Sequence, residues 1–344
     1  MDKELTIIFA LFSEEKPVSF EVISTGRSET DFREAVIVTA ESGSKLVLKL
    51  SDNDFTFPDK IKMWQRTVLE YRALGCYCPL ICTDKNGGFP RVQYKGHCCV
   101  AYAEEFALYP AAEKRETDFA DYSDDRSYMR EAWLLTAKAA AKHFDYTGYP
   151  SGYCLFETFC PSDKTDEVLE NALEWKTLSD ALPERSRSQA ERIWRLWQEN
   201  RAALEPIYKR LPSSVFQADL NSTNILIDGD RNFKGLMDFN LCGREVFLNY
   251  IIRETNDEDP AAEPNKLRYT LALVSEEYEF SVLEKNTVLM LYRCLKPLWR
   301  PYKLKEAEGD EAKISALLNE TEHYLTADID LASCMTERRN VPCG

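Results

Sequence analysis

The stretch that most restricts the fold lies at residues 216–240 and reads FQADLNSTNILIDGDRNFKGLMDFN. Short apolar runs alternate there with polar residues, which predicts two short strands, at 225–228 and 234–238, joined by the turn GDRN. A hairpin returns its second strand to the point where the first began. The polar residues that flank the strands are therefore expected to come together, either as an Asx-rich turn or as part of an active site.

Three oxygen-bearing side chains flank this predicted hairpin: Asp219, Asn224 and Asp238. Their order matches the arrangement that kinases use, in which one carboxylate orients the attacking hydroxyl and another holds Mg²⁺ against the nucleotide phosphates. An asparagine adds a neutral oxygen ligand without adding charge, and hard cations prefer oxygen ligands. By itself this pattern fits a structural turn equally well, so residues elsewhere in the chain have to decide.

Phosphoryl transfer of this kind also needs a lysine on an upstream strand and a glutamate on the helix that follows. The third predicted strand, LVLKL, contains Lys49, and the next helix contains Glu70. Glu70 shares a predicted helical face with Met63, Thr67 and Leu74, and a buried carboxylate needs a partner, so we expect it to pair with Lys49. The order of all these residues along the chain favours the kinase interpretation.

The rest of the sequence predicts strands first and helices afterwards. One helix, ending near Gly75, is expected among the strands. From about residue 107 the pattern is helical, with one helix through 129–144 and another through 189–211, which Pro206 is expected to kink or restart. The predicted N-terminal strands are SFEVIS (19–24), EAVIVTA (34–40), KLVLKLS (45–51), RVQYKG (91–96) and HCCVAYAEEF (97–106).

Several motifs resemble those of the aminoglycoside phosphotransferase and choline kinase group of small-molecule kinases. QADLNSTNILID and LMDF resemble the catalytic and metal-binding motifs of that group. STGRSETDFREAVIVTAESGSKLVLKLS resembles its first hairpin, and AAAKHF, ending in His143, resembles its helix that closes with histidine. The resemblance covers roughly residues 20–255.

This resemblance implies an α+β, two-lobed protein kinase-like fold. Residues 1–105 would form a nucleotide-binding lobe with an antiparallel sheet and one helix. Residues 106–344 would form a larger, mainly helical lobe for catalysis and acceptor binding.

The resemblance also implies a role for each candidate residue. Asp219 would be the catalytic base or the group that orients the acceptor hydroxyl, and Asn224 and Asp238 would be the Mg²⁺ ligands. Lys49, paired with Glu70, would bind the α- and β-phosphates of ATP or GTP. The implied activity is transfer of the γ-phosphoryl group to a hydroxyl of a small molecule.

Four further residues are expected to contact the nucleotide on the same grounds. Gly26 and Ser28 lie in the loop that would cover it. Backbone groups near Ala103 to Phe106, including those of Ala103 and Glu105, would form hydrogen bonds with the adenine edge.

The formal net charge of -15 disfavours general binding to nucleic acids or anionic membranes. It leans instead towards an amine-bearing acceptor. No apolar run approaches the roughly 20 residues of a membrane span, and the acidic N-terminal start lacks the basic flank of a signal peptide. The eleven cysteines show no C-x-x-C spacing, as expected for free thiols in a reducing compartment. We therefore expect a cytoplasmic protein.

Two other functions remain open at this stage. A protein kinase is disfavoured because no A-P-E sequence follows the DFN tripeptide. A non-catalytic, nucleotide-binding regulatory protein is supported by Gln217, where the resembled group has histidine, and by the single glycine, Gly26, in the nucleotide-covering loop.

Overall fold

The computed structural model describes residues 2–26, 31–112, 128–257 and 259–336. The chain divides into two compact units, each built around its own contacts. The first unit takes in the chain up to residue 135, with 160–162 and 219–243. The second contains 136–159, 163–218 and the chain from 244 onward. The boundary expected between residues 105 and 106 stays a prediction.

A six-stranded antiparallel sheet forms the larger part of the first unit. The β-branched and leucine-rich runs of the sequence become its strands, which confirms the five predicted ones and adds the short strand β4. The sheet order is β1-β2-β3-β6-β4, with β5 paired to β6. The strands are β1 (Pro17–Ser24), β2 (Phe32–Ala40), β3 (Lys45–Asp52), β4 (Ile81–Cys82), β5 (Arg91–Tyr94) and β6 (His97–Glu105).

A short N-terminal helix, α1 (Lys3–Phe9), packs on this sheet. The Asp2 carboxylate caps it by accepting the Leu5 N–H (3.1 Å). Apolar α1 side chains, among them Leu5, share one buried cluster with Val36 of β2 and Leu48 of β3. The first unit therefore contains one helix more than the sequence predicted, because the apolar run near the N-terminus is helical.

The predicted helix after β3 is confirmed as α2 (Pro58–Ala73). Proline at its first position has no N–H to leave unpaired, and Gly75, with φ of 87°, adopts the left-handed conformation that follows many helices. The apolar residues at helical spacing are buried as expected. They are Ile61, Trp64, Val68 and Tyr71.

The hairpin predicted around the turn GDRN also forms. It consists of β8 (Ile225–Ile227) and β9 (Phe233–Leu236), with Leu226 opposite Gly235. The Leu236 N–H donates to the Tyr77 carbonyl (3.1 Å), so a second segment of the first unit runs against β9. A Cβ atom on Gly235 would lie 2.0 Å from that carbonyl oxygen, so only glycine allows this approach.

Helices make up most of the second unit. Helix α5 (Glu184–Tyr208) packs against both α8 (Val282–Leu295) and α10 (Glu311–Thr326), and it continues through Pro206 to Tyr208 rather than restarting there. A small strand pair of β7 (Ser214–Phe216) and β10 (Gly243–Glu245) accompanies the helices. The remaining helices are α3 (Tyr128–Ala140), α4 (Glu167–Asp180), α5 (Glu184–Tyr208), α6 (Phe247–Glu254), α7 (Glu263–Val274), α8 (Val282–Leu295), α9 (Tyr302–Glu306) and α10 (Glu311–Thr326).

In the described stretches of the chain, no helix combines the length and the apolar character that a bilayer span requires.

The close approach at Gly235 predicts a sharp difference between two glycines of the same hairpin. Gly235→Ala should lower the free energy of unfolding by about 1–3 kcal/mol, because the added methyl group collides with backbone. Gly229→Ala in the turn should change it by less than about 0.5 kcal/mol, since nothing lies within 4 Å of the added atom. Urea denaturation measures both, and equal effects would contradict this account of the hairpin.

Candidate active site

Lys49 lies near the middle of the N-terminal sheet, with Ala35 of β2 and Tyr102 of β6 as its register partners. Side chains alternate between faces along a strand, so Lys49 shares a face with Tyr102 and with Glu104. Its Nζ atom is 3.7 Å from Glu104 Oε2 and 3.9 Å from Asp238 Oδ1. The Lys49 and Glu104 side chains are 21% and 13% exposed, so water screens this pair only in part.

The charges in this cluster determine its protonation. Burial alone would lower the pKa of Lys49, but the negative charges of Glu104 and Asp238 outweigh it and raise the pKa above its usual value. Burial raises the pKa of Glu104, and the positive charge of Lys49 opposes that rise. Lys49 therefore stays protonated at physiological pH and places a fixed positive charge beside two carboxylates.

The predicted ion pair between Lys49 and Glu70 does not form. Glu70 Oε1 lies instead 3.7 Å from Nε of Arg66, one turn earlier on α2. The buried neighbours on the same helical face, Met63 and Thr67, contact the thiol of Cys242 (Sγ to Sδ 4.0 Å and Sγ to Oγ1 3.8 Å). Helical spacing gives the face on which a residue lies, but it does not give the position of the helix along the sheet.

Asp219 is held by two amide groups. Its Oδ1 accepts a hydrogen bond from Nδ2 of Asn221 (2.7 Å), and its Oδ2 accepts one from Nδ2 of Asn224 (3.0 Å). The 3₁₀ turn Ser222–Asn224 brings Asn224 back towards Asp219, so Asn224 Nδ2 also donates to the Asp219 carbonyl (3.1 Å). The amide nitrogen of Asn224 thus faces Asp219, which leaves its Oδ1 to act as a ligand.

Asp238 lies two residues after the end of β9. The Met237 N–H donates to the Asn224 carbonyl (2.9 Å), which fixes the backbone just before Asp238. Asp238 has φ of 57°, a left-handed conformation that few residues other than glycine adopt and that often occurs at functional sites. The hairpin therefore brings Asp219, Asn224 and Asp238 into one neighbourhood, as the sequence indicates.

Of the two loop residues predicted to cover the nucleotide, Gly26 is among the described residues and Ser28 is not. A Cβ atom on Gly26 would lie 2.3 Å from the Asp31 carbonyl oxygen, so glycine allows the two arms of the β1–β2 connection to approach each other. Ser28 lies outside the described residues. The role of both residues at a nucleotide stays a prediction.

The backbone predicted to meet the adenine edge is engaged in the sheet. Ala103 has a strand on each side, with Leu48 and Cys82 as register partners. The Glu105 N–H donates to the Leu80 carbonyl (2.9 Å). The first backbone groups beyond the sheet are those that follow Glu105.

The oxygen atoms of the hairpin are suited to a divalent cation that a phosphate also binds. In the part of the chain that the structure describes, no three His, Cys, Asp or Glu side chains are placed to hold a metal alone. Asn224 and Asp238 offer one amide oxygen and one carboxylate. Mg²⁺ is usually bound by one or two protein oxygens, with water and substrate phosphates as further ligands. The donor set therefore fits Mg²⁺.

Glu104 is the residue of this cluster that the sequence analysis missed. The signal was present in HCCVAYAEEF, because alternation along the strand places Tyr102 and Glu104 on one face. The pairing of β6 with β3 then decides that this face is the one that carries Lys49.

Comparisons with known proteins bear on the fold. No protein-family model matches the sequence, and no relative was found among curated proteins. Solved structures do match. An aminoglycoside phosphotransferase from Alicyclobacillus acidocaldarius is similar over 97% of this chain and 95% of its own, with a TM-score of 0.56 and 11% identity.

Two further structures are similar to the same extent. A microcompartment-associated aminopropanol kinase has a TM-score of 0.55 and 12% identity, over 93% of this chain and 94% of its own. An amicoumacin kinase, in complex with AMP-PNP, Ca²⁺ and Ami, has a TM-score of 0.54 and 13% identity, over 94% of this chain and 93% of its own. The chain therefore has the protein kinase-like fold of small-molecule phosphotransferases, which confirms the predicted fold class and, at the level of fold, the predicted resemblance.

Measurements of stability alone can test which glutamate pairs with Lys49. A double-mutant cycle of Lys49→Met with Glu104→Gln should give a coupling energy of about 1 kcal/mol or more, because the two charges meet at a mostly buried position. The matched cycle of Lys49→Met with Glu70→Gln should give a coupling within about 0.5 kcal/mol of zero. Chemical denaturation of the six proteins measures both, and the reverse order would restore Glu70 as the partner.

Proposed function

We propose that the protein is a Mg²⁺-dependent kinase that transfers the γ-phosphoryl group of ATP or GTP to a hydroxyl group of a small molecule. The observation that carries the proposal is the meeting of Lys49, Asp219, Asn224 and Asp238 within one compact unit. These side chains supply the positive charge, the oriented carboxylate and the oxygen ligands that phosphoryl transfer requires.

Asp219 is the group that orients the acceptor hydroxyl and takes its proton. The hydrogen bonds from Asn221 and Asn224 orient its carboxylate. Such orientation lowers the barrier because the attacking oxygen is held in line with the phosphorus before reaction.

Asn224 and Asp238 are the residues that would hold Mg²⁺. When bound, the ion neutralises the negative charge of the nucleotide phosphates. The ion pair between Asp238 and Lys49 places the lysine next to the same phosphates (3.9 Å from Nζ to Oδ1). Lys49 then contacts the non-transferred phosphates, and Glu104 holds its side chain in position.

The adenine or guanine edge is read by the backbone after Glu105. The amide of Glu105 is used inside the sheet, so the next groups along the chain, from Phe106 onward, are the ones left to recognise a base. Gly26, and Ser28 in the same connection, lie in the loop proposed to close over the phosphates.

Similar structures support the cofactor and the acceptor class. The amicoumacin kinase was solved with a nucleotide analogue and a divalent cation. The aminopropanol kinase is named for a small amino alcohol. The net charge of -15 attracts cations, so an acceptor that carries an amine as well as a hydroxyl group fits this chain.

A nucleotide-consumption assay over a panel of hydroxylated amines, aminosugars and neutral sugars tests the proposal. ATP and GTP are compared as donors, each with Mg²⁺. We expect turnover with at least one amine-bearing compound. Thermal stabilisation by nucleotide and Mg²⁺ without turnover of any compound would favour the non-catalytic regulator instead.

Removal of the Asp219 carboxylate should affect turnover selectively. Asp219→Ala is expected to lower turnover at least about a hundredfold, the magnitude of lost general-base catalysis, while nucleotide binding is largely kept. Asp230→Ala, in the exposed turn of the same hairpin, is the matched control and should leave turnover within about twofold. Steady-state kinetics and nucleotide titration measure the two effects, and unaltered turnover in Asp219→Ala would show that this residue has been misassigned.

Loss of either proposed Mg²⁺ ligand should weaken metal binding. Asp238→Asn and Asn224→Ala are each expected to raise the Mg²⁺ concentration at half-maximal rate by about tenfold or more, because each removes an oxygen ligand or its charge. Asn232→Ala removes a turn asparagine whose side chain, among the described residues, hydrogen-bonds only to Asp228 (3.0 Å), so it should leave the Mg²⁺ requirement unchanged. A Mg²⁺ titration at saturating nucleotide decides the matter, and equal responses of all three variants would count against the proposed ligands.

A further inference from the structure

The helical unit contains a cavity that the proposed phosphoryl transfer does not use. It lies where α4, the connection between α6 and α7, α9 and α10 come together. The space in it that is open to water-sized groups is about 50 Å³, enough for several such groups but far too little for a nucleotide. Its walls combine aromatic rings with charged side chains of both signs.

A buried ion pair forms the floor of this cavity. Lys296 and Glu263 side chains are each 4% exposed, and Lys296 Nζ is 3.4 Å from Glu263 Oε2. Lys296 also donates to the Thr255 carbonyl (2.7 Å) and to Asn256 Oδ1 (2.9 Å), so two hydrogen bonds and the ion pair surround its ammonium group. Burial lowers the pKa of Lys296 to about 8, although Glu263 opposes the change. The lysine is therefore fully engaged by the protein itself.

Glu263 has hydrogen-bonding capacity left over. Its Oε1 atom is buried and accepts no hydrogen bond from the described residues. The nearby Tyr292 hydroxyl interacts with the same carboxylate: burial, then the negative charge of Glu263 and a hydrogen bond to Glu263, raise the pKa of Tyr292. A buried carboxylate oxygen without a donor is costly, and most such atoms in proteins are satisfied. A ligand N–H group in the cavity would satisfy it.

A cationic side chain in the same walls is also available to a ligand. Arg300 forms no ion pair with any residue that the structure describes. The neighbouring Lys303, by contrast, is paired with Glu320 (3.6 Å from Nζ to Oε1). An arginine offers several N–H groups in a planar fork that suits a carboxylate.

The remaining walls are aromatic. Trp175 and Tyr324 are 3% and 8% exposed, and Trp299 stands opposite the guanidinium of Arg253 (4.7 Å to the ring centroid). Such rings pack well against a short methylene chain and favour a cationic group near their faces.

We propose that this cavity is a second ligand site, which binds a small zwitterion through its ammonium group at Glu263 and its carboxylate at Arg300. Glu263 and Lys296 compensate each other's charge, and a zwitterion adds no net charge to the cavity; its ammonium group would supply a donor for Glu263 Oε1, and its carboxylate would supply a partner for Arg300. Only a short chain between the two charged ends fits the space. The site involves neither the nucleotide nor the catalytic hairpin, so it does not depend on the proposed kinase activity.

Binding can be measured without nucleotide, because Trp175 and Trp299 line the cavity and report on its occupancy by fluorescence. The probes are glycine, β-alanine and 4-aminobutanoate, which carry the same charges on chains of different length. We expect at least one of them to change the fluorescence and raise the melting temperature in a saturable way. The amine and the carboxylic acid of the same chain length, each with one charge only, should bind at least about tenfold more weakly, since each loses one charge-assisted contact.

Two variants separate a ligand site from a purely structural ion pair. Arg300→Gln should weaken binding of the best probe about tenfold or more without lowering stability, because no described residue pairs with Arg300. Lys303→Gln is the matched control in the same wall and should change binding by less than about threefold. Glu263→Gln should also abolish binding, but it breaks the ion pair with Lys296 and so lowers stability as well. Arg300→Gln is therefore the variant that separates loss of binding from loss of stability.

Three results would overturn the proposal. The first is the lack of any fluorescence or thermal response to the three probes up to about 50 mM, a concentration far above that of a specific site. The second is binding of the single-charge compounds as tight as that of the zwitterion. The third is an unchanged affinity in Arg300→Gln. Each of these results leaves the assays of Asp219 and of Mg²⁺ unaffected, so the two proposals fail independently.

Discussion

The positive charge of Lys49 is the interaction on which the candidate active site depends. Two carboxylates, on Glu104 and Asp238, lie within 4 Å of its ammonium group and are only partly solvated. Without that charge they would repel each other at a position where water screens little. Lys49 therefore holds the end of the hairpin (β8 and β9) against the face of the N-terminal sheet. The same contact sets the position of Asp238 relative to that sheet.

The pairing of Lys49 with Glu104, rather than with a glutamate on a helix, changes how such a site can be controlled. In protein kinases the corresponding lysine pairs with a glutamate on a helix, and movement of that helix switches the enzyme on and off. Here the partner, Glu104, belongs to β6, which is hydrogen-bonded to the strand of Lys49 over Leu46–Ser51. A partner within the same sheet cannot move away independently. The position of Lys49 is thus set by folding, and α2 contributes apolar packing rather than a charged switch.

In the helical unit, buried charges line a cavity instead of joining a hairpin to a sheet. Its buried pair, Lys296 and Glu263, is enclosed by aromatic rings; Lys296 makes two further hydrogen bonds, whereas Glu263 Oε1 accepts none from the described residues. Burial of an ion pair is a poor source of stability, because the desolvation of two charges offsets their attraction. A cavity that retains such a pair next to the unpaired Arg300, among the described residues, is better explained by recognition of a charged ligand than by packing.

Local pattern was sufficient for five of the six strands of the sheet, helix α2 and the hairpin around Asp219, Asn224 and Asp238, because alternation, helical spacing and turn residues act over a few neighbours. The fold class was implied by the resemblance of the motifs to those of small-molecule kinases. Sequence spacing did not show that α1 packs on the sheet, that Lys49 is paired with Glu104 rather than Glu70, or that Lys296, Glu263 and Arg300 share one cavity. These facts depend on strand register and on the placement of helices, which bring together residues far apart in the chain. Only the tertiary structure decides which charges meet. Local spacing gives the face of the element on which a charged residue lies, but its partner depends on the position of the element opposite.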